Sequence, residues 1–171
     1  MNQNHRKMVI MKKMDNLHKF IGFEEFLNLR EKIKNDGKTL VMTNGCFDLL
    51  HVGHMRSLFD AKSNGDYLLV ALNSDRAVKE LKGEGKPLTP EMERVELMAA
   101  IECVDYVVIF DSNDAKKLIL TIKPDVHAKG TDYTLENVPE RVEVLSYGGK
   151  IAIVGDAKDH STTEIIEKMN S

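Results

Sequence analysis

The sequence predicts a single α/β domain built around a doubly wound, five-stranded parallel sheet. Short apolar runs that end at turn residues alternate with segments in which apolar residues recur every three or four positions. The apolar run from Tyr67 to Leu72 is continuous, which is typical of a strand buried on both faces. This alternation favours right-handed crossovers and helices on both faces of one sheet. A chain of 171 residues suffices for one such domain and leaves little room for a second.

The first strand and the helices on either side of it are predicted from the first third of the chain. A helix from Phe23 to Lys34 precedes a strand at Leu40 to Met42, which stops at the turn residues Thr43-Asn44-Gly45. The next helix runs from His54 to Asn64. Its apolar residues lie mostly three or four positions apart, so it buries one face, and Asn64-Gly65 ends it.

The remaining elements repeat this alternation. Thr89-Pro90-Glu91 opens a helix, because it combines a capping residue, a proline tolerated at the first helical position and an acid suited to the positive helix end. Further strands are predicted at residues 67–72, 104–110, 125–128 and 150–154, and further helices at 114–122, at 140–147 and from about 162. Residues 1–20 are assigned to an N-terminal tail and residues 21–171 to the domain.

Composition argues against several classes of function. The 24 Lys and Arg residues and 27 Asp and Glu residues leave a formal net charge of −3, so no nucleic-acid partner is expected. No run approaches the roughly 20 apolar residues of a membrane helix, so no membrane association is expected. Cys46 and Cys103 are too few and too far apart for a disulfide framework or a structural zinc site, which favours a reducing cytoplasm.

Two histidines, His51 and His54, flank a Val-Gly pair at the predicted start of the helix that follows the first strand. A helix N-terminus carries unpaired N–H groups and a partial positive charge, and Gly53 removes a side chain that would keep a phosphate away. The imidazoles add donors whose charge can change near neutral pH. The alternative is a capping cluster with incidental histidines. Two histidines and two glycines in one turn favour an anion site.

This segment resembles a known family. Asn44-Gly45-Cys46-Phe47-Asp48 followed by His51-Val52-Gly53-His54 is similar to the signature of the cytidylyltransferase-like nucleotidyltransferases, whose histidine pair binds nucleoside triphosphate phosphates on a Rossmann-like sheet. From about Phe20 to the C-terminus the chain is most similar to the adenylyltransferase domain of the bacterial ADP-heptose synthesis enzymes. The further matching segments are residues 71–75, 81–83, Arg94, 104–105, 129–133 and 161–163.

The resemblance implies that a sugar 1-phosphate attacks the α-phosphorus of a nucleoside triphosphate, that pyrophosphate leaves and that a nucleotide sugar forms. A phosphate monoester is largely ionised at pH 7, so no general base is required. The catalyst must instead stabilise negative charge with cations and dipoles. The resemblance also implies ATP as the nucleotide, a heptose 1-phosphate as the acceptor, Mg²⁺ bound through the triphosphate, and a homodimer.

The expected site residues fall into three groups. Catalysis is assigned to His51, His54 and Lys82. Nucleotide binding is assigned to Asn44, Gly45, Cys46, Phe47, Asp48, Gly53, Arg94, Lys129, Ser161, Thr162 and Thr163. Acceptor binding is assigned to Asn73, Asp75, Asp132 and Tyr133. Asp48 is a candidate for orienting the metal, although no protein ligand to a metal is predicted.

Several of these residues have simpler interpretations. Lys82 lies in a loop-like segment where a lysine is usually just solvated. For Arg94, the alternative to triphosphate binding is a surface ion pair with the neighbouring Glu91 or Glu93. Ser161 fits a capping box with Glu164. Lys129 and Asp132 could form a mutual ion pair.

Two alternative functions stay open at this point. One is a CTP-dependent cytidylyltransferase acting on glycerol 3-phosphate or a related polyol phosphate, which shares the histidine signature. The other is a nucleotide-binding regulatory protein without turnover. Thr131 and His127 depart from the heptose group, where a glycine and an apolar residue are usual, and both could reshape the acceptor pocket.

Overall fold

Five parallel strands form one sheet in the order β3-β2-β1-β4-β5 in the computed structural model, which describes residues 15–156. In chain order the elements are a 3-10 helix (Asp15–Lys19), α1 (Phe23–Asn35), β1 (Leu40–Gly45), α2 (Val52–Lys62), β2 (Tyr67–Asn73), α3 (Asp75–Lys82), α4 (Glu91–Ala99), β3 (Tyr106–Phe110), α5 (Lys116–Ile122), β4 (Val126–Gly130), α6 (Arg141–Ser146) and β5 (Lys150–Val154). The predicted doubly wound α/β fold is confirmed.

The strand order reverses between β1 and β4. β1 pairs with β2 on one side and with β4 on the other, where Met42 lies opposite His127. The chain therefore leaves neighbouring strands in opposite directions at this point. In open α/β sheets a crevice for ligands forms outside the carboxyl ends of the strands at such a reversal.

Alternate residues of β1 enter different apolar cores. Val41 packs in a cluster with Leu58 of α2 and Met98 of α4, on one face of the sheet. Met42 points into a second cluster with Phe26 of α1 and Ile119 of α5. Both faces of the central strand are buried, which explains its uninterrupted apolar run.

Most predicted elements are present with shifted ends. The helix expected at 54–64 begins two residues earlier, at Val52. The helix α3 is not among the predicted elements, because the pattern Asn73-Ser74-Asp75 after β2 indicates only a turn. The Ser74 side chain accepts a hydrogen bond from the backbone N–H of Ala77 and so caps a new helix at this turn. This capping serine was the signal that sequence reasoning missed.

The last residues of the predicted tail contact the domain. Phe20 forms a parallel bridge with Val107 of β3 and packs against the core. The Lys19 ammonium donates to the carbonyl oxygen of Ile101 at 2.9 Å. The rest of the tail, residues 1–14, and the helix expected from about residue 162 lie outside the described residues. Within residues 15–156, no helix is both long and apolar enough to span a membrane.

Candidate active site

The two histidines meet at the N-terminus of α2, directly after the loop that follows β1. Their ring centroids are 4.0 Å apart. The His51 backbone N–H donates to Nδ1 of His54 at 3.3 Å. Because Nδ1 of His54 accepts this bond, the proton of the neutral imidazole resides on Nε2. His54 is thus a neutral donor at the positive end of a helix.

The charge state of His54 follows from its surroundings. Burial, followed by the electrostatic effects of His51 and Lys82, together lower the pKa of His54 to about 4. Lys82 ends α3 and is exposed, and its charge also acts on the Cys46 thiol. Burial nevertheless raises the pKa of Cys46. The structure therefore brings the three predicted catalytic residues into one electrostatic neighbourhood.

The loop between β1 and α2 holds a strained residue. Phe47 has a φ of 47°, in the left-handed region that few non-glycine residues adopt. Its ring lies 5.4 Å from the His54 ring. A Cβ on Gly45 would come within 3.2 Å of the Phe47 ring, so glycine lets this ring fold back over the end of β1.

Asp48, which the sequence assigns to nucleotide binding, anchors a neighbouring loop. One carboxylate oxygen accepts hydrogen bonds from the backbone N–H groups of Leu88 and Thr89, and the other accepts from Lys86. Burial raises the pKa of Asp48, but these hydrogen bonds outweigh burial and hold it below its usual range. The side chain is 4 % exposed. Its carboxylate is thus already committed to the loop before α4.

Arg94 is buried beneath the site. Its side chain has no exposed surface, so it does not form the surface ion pair with a neighbouring glutamate, and its assignment to nucleotide binding stays a prediction. The guanidinium donates to the carbonyl oxygens of Cys46, Asn73 and Thr89 at 2.7, 2.8 and 3.0 Å. It also pairs with Asp75. Arg94 joins the ends of β1 and β2 to the start of α4.

A cavity of about 430 Å³ opens at the carboxyl ends of β1, β2 and β4. Its walls include six of the predicted site residues: Asn44, Gly45, Cys46, Asn73, Lys129 and Tyr133. Ligand pockets commonly fall in this size range. A depression of about 570 Å³ lies at the opposite, amino-terminal edge of the sheet and contains none of the predicted site residues. The strand topology and the residue chemistry both favour the smaller cavity.

Lys129 faces a partner that the sequence did not indicate. Its ammonium lies 3.3 Å from both carboxylate oxygens of Glu140 and 5.0 Å from the centroid of the Tyr133 ring. All three residues line the cavity. The expected Lys129–Asp132 pair is not the one formed by Lys129. Glu140 precedes α6, where an acid is ordinary, so no pattern in the sequence distinguished it.

His127 contacts the signature segment from below. Its Nε2 lies 3.0 Å from Oδ1 of Asn44. An amide oxygen only accepts, so Nε2 of His127 donates this hydrogen bond. Burial, and secondarily the charge of Lys129, together lower the pKa of His127 to about 3, so the ring is neutral near pH 7. The polar residue in β4 orients a side chain of the cavity wall, while Thr131 bonds the carbonyl of Asp156.

The other predicted residues are placed as follows. The Asn73 amide donates to the carbonyl of Ser112 and accepts a weak contact from the Cys46 thiol at 3.9 Å. Asp132 is exposed and does not line the cavity, and Gly53 lies within α2. The predicted binding residues Ser161, Thr162 and Thr163 lie outside the described residues.

The donor set does not fit a metal held by this part of the chain. Residues 15–156 contain no group of three or more His, Cys, Asp or Glu side chains that could hold a metal ion. The Asp48 carboxylate is engaged by loop 86–89.

Solved structures share this architecture. The lipopolysaccharide core biosynthesis protein from Thermoplasma volcanium superposes with a TM-score of 0.60 and 26% identity, over 71% of this chain and 100% of that one. A pantoate-beta-alanine ligase from Francisella tularensis, complexed with beta-gamma ATP and beta-alanine, matches with a TM-score of 0.57 over 88% of this chain and 76% of that one. Its 13% identity shows a common fold alone.

Proteins found by sequence comparison have a higher sequence identity to this chain than these two structures have. The bifunctional protein HldE of Geobacter metallireducens is 52% identical over 139 residues, which cover 81% of this chain and 28% of that protein. The corresponding protein of Syntrophotalea carbinolica is 43% identical over 159 residues, covering 89% of this chain and 32% of that protein. The chain therefore spans about a third of the length of these curated relatives.

A family model described as cytidylyltransferase-like matches residues 42–168, from the end of β1 through the histidine signature and beyond β5. The match covers most of the chain and includes every residue that builds the cavity. The resemblance found in the signature residues is confirmed, and the chain belongs to the cytidylyltransferase-like family.

Proposed function

We propose that this protein is a nucleotidyltransferase that transfers the adenylyl group of ATP to a heptose 1-phosphate, releases pyrophosphate and forms an ADP-sugar. The observation that carries the proposal is the paired imidazoles of His51 and His54 at the N-terminus of α2, beside a cavity at the reversal of strand order. Sequence identity to the bifunctional protein HldE supports the heptose phosphate as acceptor.

The reaction needs stabilisation of charge rather than proton removal. The acceptor phosphate is already an anion, and further negative charge develops on the phosphates as pyrophosphate leaves. A neutral His54 with its proton on Nε2 donates a hydrogen bond to a phosphate oxygen, and the unpaired N–H groups at the start of α2 add their dipole. Lys82 supplies a mobile positive charge from the end of α3.

The two substrates occupy different parts of the site in this proposal. The triphosphate lies over the start of α2, where the helix N-terminus and Lys82 supply positive potential and His54 supplies a neutral donor. The sugar enters the cavity between β1 and β4, whose wall carries Lys129, Glu140 and Tyr133. The adenine specificity rests on the family resemblance. ATP enters as its magnesium complex, and the enzyme is a cytoplasmic homodimer.

A grid of triphosphates and acceptors tests the proposal. Pyrophosphate release is measured with ATP, CTP, GTP and UTP against heptose 1-phosphate, mannose 1-phosphate and glycerol 3-phosphate. Activity confined to ATP and a sugar 1-phosphate supports it. Turnover of CTP with glycerol 3-phosphate would instead establish a cytidylyltransferase. A rise in melting temperature with ATP and magnesium, without pyrophosphate release, would point to a nucleotide-binding regulator.

Light scattering at several protein concentrations tests the homodimer. A mass of one chain throughout would reject it. Measuring pyrophosphate release after addition of EDTA tests the metal requirement. Full activity without magnesium would reject that part of the proposal.

A further inference from the structure

We propose that Glu140 determines acceptor specificity by accepting hydrogen bonds from hydroxyl groups of a sugar phosphate, while Lys129 holds its carboxylate towards the cavity. This inference rests on the proposed function and adds the residue that recognises the sugar. The expected ligand is a phosphate ester with several hydroxyl groups. These hydroxyl groups enter the cavity next to the end of β4 and the start of α6.

The Lys129–Glu140 pair is buried but loosely joined. The two side chains are 9 % and 7 % exposed. The distance from Nζ to each carboxylate oxygen is 3.3 Å, longer than the roughly 2.7–2.9 Å of a strong charge-assisted hydrogen bond. A carboxylate offers about four acceptor positions, and within residues 15–156 Lys129 is the only side chain that satisfies this one. Glu140 thus retains acceptor capacity on the cavity wall.

Burying a carboxylate with so little compensation is costly for folding. A ligand that supplies the missing donors offsets this cost, because its hydroxyl groups form charge-assisted hydrogen bonds with the buried carboxylate. Sugar hydroxyls are donors of this kind. Buried polar groups of this sort discriminate strongly, since an analogue that lacks the hydroxyl leaves the carboxylate unsatisfied.

The rest of the wall suits the same ligand. The Tyr133 ring, already 5.0 Å from the Lys129 ammonium, offers an aromatic face, and Phe110 and Pro139 add apolar surface. A sugar presents both C–H groups and hydroxyls, so one side can rest on these groups while hydroxyls reach Glu140.

The charge of Glu140 also fixes the direction of the acceptor. A carboxylate repels a phosphate, and a phosphate next to Glu140 would place two anions together in a partly dry cavity. The phosphate must therefore lie at the other end of the molecule, towards Asn44–Cys46 and α2. This orientation directs the nucleophilic oxygen to the histidine end of the site.

Steady-state kinetics of Glu140→Gln tests the inference, because glutamine keeps the shape and removes the charge. The KM for heptose 1-phosphate should rise about 10- to 100-fold, whereas the KM for ATP should stay within about twofold. Monodeoxy acceptors sharpen the test. For at least one monodeoxy acceptor, the wild type should be much less active than with the full acceptor. The variant should show little difference between the same two acceptors, because it has already lost that contact.

Asp125→Asn is the matched control. Asp125 directly precedes β4 at the amino-terminal edge of the sheet, and its carboxylate pairs with Arg30 at 3.0 Å. The substitution therefore weakens an ion pair at the other end of β4, away from the cavity. This variant should change the melting temperature and leave the KM for the acceptor unchanged. Should Glu140→Gln fail to fold, Lys129→Met combined with Glu140→Met removes both charges at similar volume and should raise the acceptor KM.

Two results would overturn the inference: an unchanged acceptor KM in Glu140→Gln, or equal losses with every deoxy acceptor in both proteins. The proposed function fails separately, if the wild type releases no pyrophosphate with any acceptor. In that case, calorimetry with heptose 1-phosphate decides. Weaker binding to Glu140→Gln than to the wild type supports the role of Glu140, and equal or absent binding rejects it.

Discussion

Arg94 and Asp75 form an ion pair of 2.7 Å in which the arginine side chain has no exposed surface and the aspartate is 43 % exposed. The same guanidinium bonds the carbonyl oxygens of Cys46 and Asn73, which end two neighbouring strands. One side chain on α4 thus fixes the spacing of the strand ends that form the cavity wall. The arginine thus acts on the site through the backbone.

Arg94→Leu should lower the free energy of unfolding by about 3–5 kcal/mol. The change leaves three backbone carbonyls and the Asp75 carboxylate without their arginine partner. Urea denaturation monitored by circular dichroism measures the difference. Arg56→Leu, which removes an exposed pair with Asp156, should cost less than about 1 kcal/mol. Equal effects of the two substitutions would contradict the buried network.

His54→Ala should reduce kcat by more than about 100-fold, which is the scale of losing one preorganised donor in the transition state. The fold should survive, because His54 lies in the first turn of α2 and outside both apolar cores. Pyrophosphate release measures the activity, and circular dichroism checks the helix content. Near-normal turnover in a folded variant would leave the histidine pair as a helix cap.

Stability should fall as the pH drops below 6.5, because His127 is neutral in the folded protein. Its pKa is near 6.5 when unfolded and about 3 when folded, so the unfolded chain binds more protons between these values. Below pH 6.5 the expected slope from His127 approaches about 1.4 kcal/mol per pH unit. His54, with a pKa of about 4, adds a smaller effect of the same sign, since it is only partly buried.

Urea unfolding between pH 6.5 and 5 isolates this effect from most carboxylate titration. His127→Gln keeps a donor for Asn44 and removes the titrating group, so its stability should depend less on pH than that of the wild type. Identical slopes in the two proteins would show that His127 is not the group responsible.

Cys46→Ser should retain substantial activity. Attack of an ionised phosphate on phosphorus is a single displacement and needs no covalent cysteine step. Burial also raises the pKa of the Cys46 thiol, which disfavours the nucleophilic thiolate. Pyrophosphate release by the variant measures the effect, with mass spectrometry of the wild type to search for a nucleotidyl-cysteine. Trapping such an adduct would reverse this conclusion.

The sequence by itself determined the sheet, the family and the location of the histidine pair. Each of these depends on local pattern: an apolar run buried on both faces, as at Tyr67 to Leu72, and a signature of adjacent residues between β1 and α2. Such features can be predicted from the sequence because residues that are neighbours in the chain remain neighbours in the folded structure. Even the missed helix α3 had a local signal in the capping Ser74.

Only the tertiary structure decided what Asp48, Arg94, Lys129 and Glu140 do. Their partners lie on other elements: Arg94 meets Cys46, 48 positions away, and Asp48 meets Leu88, 40 positions away. Whether a charged side chain faces solvent, a ligand or a buried carbonyl depends on which segments the crossovers bring together. No spacing along the chain encodes that choice. The hydrogen-bond partners of Asp48 and Arg94, and the place of Glu140 on the cavity wall, are therefore visible only in the folded structure.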